Sequence, residues 1–310
     1  MLDTDFTGSH IATYDSIFLE PDWILRKFQG WRLLADLPEG KLLRRNFGPF
    51  CRYLILTNSF SDIRQFLPRG LSAWFSQIIV KDLGIKATNA PPIRTFCNST
   101  YRLSTDEERL LNMYTFAINL RLGEDTLWKN FNQTTRKSCR IAFDKGVKHE
   151  FIQDSSSRLV DVFIDTLANM AIKRGLVPPE RSLIKRIINQ GAGNLHYVSL
   201  SGEPLTFALI YRAGKKIFYL LGVSTDSDRA AGGGHLLHWE IIRHYKLAGL
   251  HWYDMGGVQE INSNNGIYKF KRGFGGALID LGPEYVLTGV GVQLAMKSRN
   301  SLKRILKGRL

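Results

Sequence analysis

The amino-acid sequence predicts an α/β protein in which mixed central sheets are flanked by helices. Short segments with alternating apolar and polar side chains predict strands, and apolar side chains at helical spacing predict the helices between them. A run of glycines separates a predicted strand from a predicted helix in the second half of the chain. Elements in this order are typical of an α/β layout, in which helices pack against a sheet.

Predicted elements of the first half are short. Residues 14–100 alternate strand-like segments with turns and one or two short helices, and the clearest strands lie at 51–57 and 73–80. Residues 113–122 predict a further strand, because apolar side chains occupy alternate positions. A helix is expected at about 125–145, where acidic residues lie at the start and a glycine follows the end.

The order of elements is clearer in the second half. Two helices, three strands, a helix and two more strands follow one another, at 157–175, 180–189, 194–200, 205–212, 216–223, 233–248, 250–255 and 277–287. No linker rich in proline or serine divides the chain. The pattern therefore predicts one domain at 148–285.

Composition and charge narrow the class of protein. The chain has 310 residues, of which 44% are hydrophobic and 23% are charged, as in ordinary globular proteins. Its net charge of +14 predicts attraction to a polyanion, such as nucleic acid, an anionic membrane or a phosphorylated substrate. The cysteines show no C-x-x-C spacing, so a reducing compartment fits best and no disulfide framework or zinc site is expected.

No segment predicts export or insertion into a membrane. The N-terminal residues are acidic and polar, and no apolar run approaches the ~18 residues of a spanning helix. We therefore expect a cytoplasmic protein that can also associate with a membrane. The tail at 286–310 is basic and without acidic residues, so it packs on the first domain, contacts nucleic acid or lies on anionic lipid.

Basic side chains cluster on one face of the helix predicted at 125–145. Lys129, Arg136, Lys137 and Arg140 recur at nearly helical spacing. Such a face is either solvated or in contact with a polyanion, and the sequence leaves both interpretations open.

A glycine-rich motif opens the helix predicted at 233–248. Arg229, Gly232 and Gly234 fit the pattern R-x-x-G-x-G, in which glycines let backbone amides approach phosphate oxygens at a helix N-terminus. The motif resembles the acyl-CoA pyrophosphate loop of GNAT enzymes (acyl-CoA N-acyltransferases), although a tight turn without a ligand uses the same glycines. His235 and His238 are spaced like metal ligands, but no third ligand accompanies them and no metal site is expected.

A longer pair of motifs carries a more specific resemblance. The segments YDMGGV at 253–258 and NGIYKFKRGFGG at 265–276 resemble motifs of the FemABX aminoacyltransferases, which belong to the GNAT superfamily. The likeness covers residues 113–285. It implies two GNAT-like domains joined by a long helix. The first would be 1–147, completed by the tail 286–310, and the second 148–285.

The resemblance also implies an activity that needs no cofactor. The family transfers an amino acid from aminoacyl-tRNA to an amine on a peptidoglycan precursor. By the same likeness, Lys271 lies beside the aminoacyl ester and Phe270 near the tRNA terminus. Attack of an amine on an ester builds negative charge on the carbonyl oxygen, which a fixed cation stabilises. Lys271 is therefore the leading catalytic candidate, with a surface lysine as the alternative.

Further side chains complete the set of candidates. Asp254 lies at the C-terminal end of a predicted central strand and could orient the ammonium or accept its proton, or could stabilise a turn. Tyr253 is a candidate oxyanion donor or a core residue. Candidate contacts for the phosphates of the donor, besides the glycine-rich motif, are Arg272, Arg136 and Arg140.

The acceptor is the least specified part of this hypothesis. In the family, a basic residue near an N-terminal tryptophan and an arginine after the first helix of the second domain bind the diphosphate of the precursor. Lys27 can supply the basic residue near the tryptophan. At the position of the arginine this chain has a proline, although Arg181 is close by in the sequence. Two other functions stay open. One is an acyl-CoA-dependent N-acyltransferase, and the other is a non-catalytic basic module that binds nucleic acid or membrane.

Overall fold

The computed structural model describes residues 31–37, 40–57, 75–82, 102–104, 109–110, 112–225, 228, 232–282 and 284–295. These residues divide into two compact units. One unit is Tyr114–Ile279, and the other comprises the described residues between 31 and 113 together with 280–295. The division falls at Tyr114 and not after residue 147, because the strand and helices that follow Tyr114 pack with elements of the second half.

The described elements are numbered in chain order. The strands are β1 (Arg32–Leu37), β2 (Gly40–Phe47), β3 (Phe50–Thr57), β4 (Ser76–Asp82), β5 (Arg102–Leu103), β6 (Tyr114–Asn119), β7 (Lys148–Ile152), β8 (Gly193–Leu200), β9 (Glu203–Ala213), β10 (Lys216–Ser224), β11 (Trp252–Val258), β12 (Ala277–Asp280) and β13 (Glu284–Thr288). The helices are α1 (Glu124–Asn130), α2 (Gln133–Asp144), α3 (Arg158–Lys173), α4 (Arg181–Asn189), α5 (Gly233–Leu247) and α6 (Gly266–Arg272).

The unit that includes residues 31–113 contains a six-stranded sheet in the order β1-β2-β3-β4-β13-β5. Strands β3 and β4 are parallel, whereas the other neighbours are antiparallel. Strand β13 lies between β4 and β5, so the chain returns to this sheet after the other unit. Buried side chains from three strands form its core, namely Leu42, Ile55, Ile78 and Val80.

The unit Tyr114–Ile279 contains a seven-stranded sheet in the order β12-β6-β11-β10-β9-β8-β7. Strands β10 and β11 are parallel, and the pairs β6–β11, β9–β10, β8–β9 and β7–β8 are antiparallel. Helix α5 packs against α2 and against β8 and β9. Two mixed sheets flanked by helices confirm the predicted α/β class.

Two predicted elements are broken in the structure. The helix expected at 125–145 is the pair α1 and α2, because Phe131 adopts an extended backbone and is 1% exposed. Asn132 then caps α2, as its side chain accepts a hydrogen bond from the Thr135 amide at 2.8 Å. The expected long helix is therefore absent from this part of the chain. The strand expected at 277–287 is also two strands, β12 and β13, in different sheets.

Most other predictions for the second half are confirmed to within a few residues, as α3, α4, α5 and β8–β11. The sequence did not predict β7 or α6. Helix α6 is short, and it begins where the Asn265 side chain accepts hydrogen bonds from the Ile267 and Tyr268 amides. It contains most of the segment 265–276, one of the two segments that carry the FemABX resemblance.

A buried polar chain connects β7, β8 and α5. The His149 Nε2 atom lies 3.0 Å from His196 Nδ1, and His196 Nε2 lies 3.0 Å from the Tyr245 hydroxyl. Burial lowers the pKa of His149 to about 4, and repulsion from His244 adds to the shift. Burial also holds the pKa of His196 well below its ordinary value. Both imidazoles are therefore neutral in the folded protein at neutral pH.

We expect the free energy of unfolding to fall as the pH drops from about 6.5 toward 4. Unfolded histidine binds a proton at an ordinary pKa of about 6.5, whereas the fold keeps His149 and His196 neutral, so acid favours the unfolded chain. This contribution is complete above about pH 6.5. Replacing His149→Gln should reduce the loss of melting temperature on acidification, measured by calorimetry. His251→Gln, outside the cluster, is the control, and equal losses in His149→Gln and wild type would contradict the prediction.

Candidate active site

The parallel strands β10 and β11 separate towards their C-terminal ends. Their paired register ends at Phe218 and Asp254, although β10 continues to Ser224 and β11 to Val258. Strand β10 also shifts register against β9 after Tyr219, and β11 shifts against β6 after Asp254. The segments of β10 and β11 beyond the end of this pairing are together called the strand gap below. In α/β proteins such C-terminal strand ends bind ligands.

Lys271 of α6 lies at the strand gap. Its ammonium group donates to the carbonyl oxygens of Gly256 at 2.9 Å and Gly257 at 3.0 Å. The same nitrogen lies 5.9 Å from the centroid of the Tyr219 ring, within the range of a cation–π contact. Lys271 is 7% exposed, so the alternative of a surface lysine is wrong.

Gly256 forms the turn that presents these carbonyl groups. Its φ of +77° is a left-handed conformation that favours glycine, and a Cβ atom there would lie 2.9 Å from the Tyr219 carbonyl oxygen. The Asp254 carboxylate accepts hydrogen bonds from the Gly256 amide at 2.8 Å and from the Thr115 hydroxyl. Asp254 thereby stabilises the bulge of β11 that binds Lys271, which is the turn role that the sequence left open.

His238 and Tyr253 form a buried pair beside the strand gap. The His238 Nδ1 atom lies 2.6 Å from the Tyr253 hydroxyl, and its ring packs edge-on against Tyr219 at 4.8 Å between centroids. Burial lowers the pKa of His238 to about 3, with a further contribution from the charge of Lys271. Burial also raises the pKa of Tyr253 well above its ordinary value. This pairing is the core role that the sequence allowed for Tyr253.

Phe270 packs between α6 and the first turns of α5. Its ring centroid lies 5.0 Å from that of His235, 5.3 Å from that of His238 and 5.2 Å from that of Phe274. The ring is partly buried by these contacts. An intramolecular packing role is therefore present, and proximity to a tRNA terminus stays a prediction.

Asp228 occupies the N-terminus of α5. Its carboxylate accepts a hydrogen bond from the Gly234 amide at 3.2 Å. Gly232 has a φ of +70°, and a Cβ atom there would lie 2.6 Å from the Ser138 carbonyl oxygen. Close packing thus accounts for the glycine at 232, and the Gly234 amide already bonds to a carboxylate. Contact of either glycine with phosphate stays a prediction.

Helix α2 presents its basic residues to a cavity of about 500 Å³, which is lined by Gln133, Arg136, Lys137, Arg140 and Ile141. The Arg136 guanidinium donates to the carbonyl oxygens of Lys129, at 2.9 Å, and Phe131, so it stabilises the break between α1 and α2. The Arg140 guanidinium lies 5.9 Å from the centroid of Trp128. Arg136 therefore has a structural role within the predicted basic face.

Arg181 is engaged by acidic residues of its own unit. Its guanidinium forms ion pairs with Asp161, at 2.6 Å, and with Asp165 on α3. The sequence assigned this arginine to a diphosphate. Binding of that group would have to replace these exposed ion pairs.

The remaining candidates divide into exposed residues and residues outside the structure. Arg272 is exposed at the end of α6. Lys27, Arg229 and the tail beyond residue 295 lie outside the described residues. Within the described ranges, no group of three or more His, Cys, Asp or Glu side chains could hold a metal ion. No helix in those ranges is both long enough and apolar enough to cross a membrane.

The sequence did not predict that Tyr219 and His238 lie near Lys271, or that Thr115 bonds to Asp254. In the sequence His238 is notable only for its metal-ligand spacing, whereas Thr115 and Tyr219 lie in largely apolar strands and belong to no motif that indicates chemistry. The one available signal is Thr115, a hydroxyl side chain in an apolar strand. Its partner Asp254 becomes apparent only when β6 pairs with β11.

Comparison with protein families supports an acyl-transferring enzyme. Residues 129–272 match the acetyltransferase (GNAT) domain. The matched segment includes α2, strands β7–β11 and Lys271. No curated protein sequence matches the chain.

Three solved structures share the fold at low sequence identity. FemX has a TM-score of 0.65 at 15% sequence identity. The alignment covers 86% of this chain and 90% of the FemX chain. The C-terminal domain of an Agrobacterium fabrum protein assigned as a lysylphosphatidylglycerol synthetase has a TM-score of 0.56 at 15% identity, over 94% of each chain. L-PGS from Bacillus licheniformis has a TM-score of 0.53 at 14% sequence identity, over 84% of each chain. These similarities support a Fem-like GNAT fold, and at such identities they show the fold alone.

We expect the left-handed turn at Gly256 to require glycine for full stability. Gly256→Ala should lower the free energy of unfolding by roughly 1–3 kcal/mol, because a side chain is strained at positive φ and crowds Tyr219. Gly266→Ala is the matched control, since a Cβ atom there meets nothing within 4 Å. Chemical denaturation would measure both variants. If Gly256→Ala is as stable as Gly266→Ala, the turn does not constrain the site.

Proposed function

We propose that this protein is an aminoacyltransferase that moves an amino acid from aminoacyl-tRNA to an amine acceptor. The proposed acceptor is a cell-wall peptide precursor. The acetyltransferase-domain match and the Fem-like fold support the acyl-transferring class. The observation that carries the proposal is the buried Lys271 ammonium, which two backbone carbonyl groups hold at the strand gap.

Lys271 supplies the charge that aminoacyl transfer requires. The acceptor amine attacks the ester carbonyl carbon, a C–N bond forms, and the carbonyl oxygen becomes negative. The C–O bond to the ribose then breaks, and the ribose oxygen takes the proton that the amine loses. In this proposal the Lys271 ammonium stabilises the oxyanion. It is already oriented by Gly256 and Gly257, so little reorganisation is needed during the reaction.

The surroundings of Lys271 favour this role. Burial raises the pKa of Tyr219 to about 12 and holds the pKa of Tyr253 well above its ordinary value, so both hydroxyls stay neutral at physiological pH. A charge acts more strongly in such a poorly solvated environment. Asp254 acts through Gly256, whose turn it stabilises, and is a positioning residue in this mechanism.

One contact weighs against acyl-CoA as the donor. The Asp228 carboxylate lies at the α5 N-terminus and accepts from the Gly234 amide, where a pyrophosphate would meet a like charge. This contact favours an aminoacyl ester on RNA over a thioester on CoA.

The cavity beside α2 provides a contact for the RNA in this proposal. The Asn132 amide, just before α2, donates to the Gly273 carbonyl oxygen at 2.9 Å, directly after the helix that carries Lys271. A phosphate backbone bound by Lys137 and Arg140 would therefore run close to the end of α6. Arg272, Arg136 and Arg229 are proposed as further phosphate contacts.

Arg181 is the described residue that we propose for contact with a phosphate-bearing peptide precursor. It would exchange its contacts with Asp161 and Asp165 for the phosphate groups. Lys27 is a separate candidate from the sequence alone. The basic tail could contact an anionic membrane. A non-catalytic basic module remains the alternative if no acyl group is transferred.

Lys271→Met should slow aminoacyl transfer roughly 100- to 1000-fold, because it removes the cation that stabilises the oxyanion. Lys269→Met is the matched control, since Lys269 is an exposed lysine on the same helix. The measurement is transfer of radiolabelled amino acids from charged tRNA to peptide amines by the purified full chain.

Three results would contradict parts of this proposal. A wild-type rate in a folded Lys271→Met variant would remove Lys271 from the mechanism. Tight CoA binding in titration calorimetry, together with no effect of tRNA, would favour the acyl-CoA alternative. Absence of transfer from either donor in the wild-type protein would favour the non-catalytic module.

The double replacement Lys137→Ala and Arg140→Ala should weaken tRNA binding. It should also reduce the slope of log binding constant against log salt concentration by roughly 1–2. Arg136 is retained, because it bonds to carbonyl groups at the end of α1. The control is Lys145→Ala with Lys148→Ala, which removes the same charge from exposed positions outside the cavity. Filter binding over a salt series measures the slope, and an unchanged slope would exclude this face from RNA binding.

A further inference from the structure

Apolar side chains project into solvent at the loop between α3 and α4. Val177 is 92% exposed, and Ile172 and Leu176 are 65% and 59% exposed. The rest of α3 buries its apolar residues, including Phe163 and Leu167. Single exposed apolar residues are ordinary in soluble proteins, but several in one short segment form a patch that indicates an interaction.

The same loop carries positive charge. Lys173 and Arg174 are exposed within it, and residues 172–179 include no acidic side chain. Gly175, with a φ of +66°, reverses the chain between the cations and the last two apolar residues. Apolar and cationic side chains therefore project from one turn. Two prolines follow and restrict the backbone conformation.

Hydrogen bonds and ion pairs hold the base of this loop. The Gly175 and Leu176 amides donate to carbonyl oxygens in the last turn of α3, at 3.0 and 2.8 Å. Arg181 and Lys185 of α4 form ion pairs with Asp161 of α3. The loop thus joins two helices that are themselves held together, which lowers the entropy lost when it binds a partner.

We propose that residues 172–177 dock the protein on an anionic lipid surface. Leu176 and Val177 enter the interfacial region, while Lys173 and Arg174 contact lipid phosphates. Charge complementarity favours this partner, because the cations adjoin the apolar tip and the whole chain carries a net charge of +14. A side chain as exposed as that of Val177 can enter a deformable lipid interface without displacing contacts within the protein. Binding through two apolar side chains and two cations is weak, reversible and sensitive to salt.

The test is sedimentation of the full-length protein with vesicles of phosphatidylcholine, alone or mixed with phosphatidylglycerol. The wild type should bind the mixed vesicles and be released by high salt. Leu176→Ser with Val177→Ser should weaken binding roughly tenfold. Leu247→Ser is the apolar control, because Leu247 is 84% exposed on α5. Lys173→Glu with Arg174→Glu should abolish binding, whereas Lys145→Glu with Lys148→Glu makes the same charge change elsewhere and should not.

Several outcomes would overturn this proposal. They are no binding by the wild type, equal binding to both kinds of vesicle, or equal losses in the loop variants and their matched controls. Self-association in the absence of lipid, lost on Leu176→Ser with Val177→Ser, would identify a second copy of the chain as the partner instead. Retained RNA binding and amino-acid transfer in the loop variants would separate this surface from the proposed active site.

Discussion

The hydrogen bonds from the Lys271 ammonium to two carbonyl groups of β11 are the interaction on which the candidate active site depends. A buried ammonium is costly unless polar atoms replace its water, and Gly256 and Gly257 supply oxygens for this purpose. The left-handed turn at Gly256 orients one of these oxygens. Helix α6 must also begin close to this turn, which its cap at Asn265 determines. The glycines of the strand and the lysine of the helix therefore act as one unit.

Irregular backbone in two neighbouring strands surrounds this unit. Strand β11 bulges after Asp254, whose carboxylate bonds to Thr115 on one neighbour and to the turn itself. Strand β10 shifts register after Tyr219, whose ring then lies beside the lysine. Both irregularities occur where the pairing of β10 with β11 ends. Bulges beside functional sites commonly aim side chains in this way.

Positive charge serves different purposes according to its burial. Lys271 is enclosed and held in one orientation, which suits the stabilisation of charge at a single atom. The cations beside α2 and in the loop 172–177 are mostly exposed, which suits contact with many phosphate groups in an adaptable way. Buried imidazoles such as His196 and His238 contribute no charge, because burial lowers their pKa.

The sequence alone determined the class of the fold and most elements of the second half, and it singled out Lys271 as the leading catalytic candidate. Periodic apolar residues and the motif around residue 271 are local patterns that need no knowledge of distant contacts. Tertiary structure decided the break at Phe131, because burial of that ring outweighs a continuous helical pattern. It also brought Tyr219 to the lysine, Thr115 to Asp254 and the Asp228 carboxylate to the N-terminus of α5. These contacts join residues that are separate in the chain, and only strand pairing and helix packing bring them together.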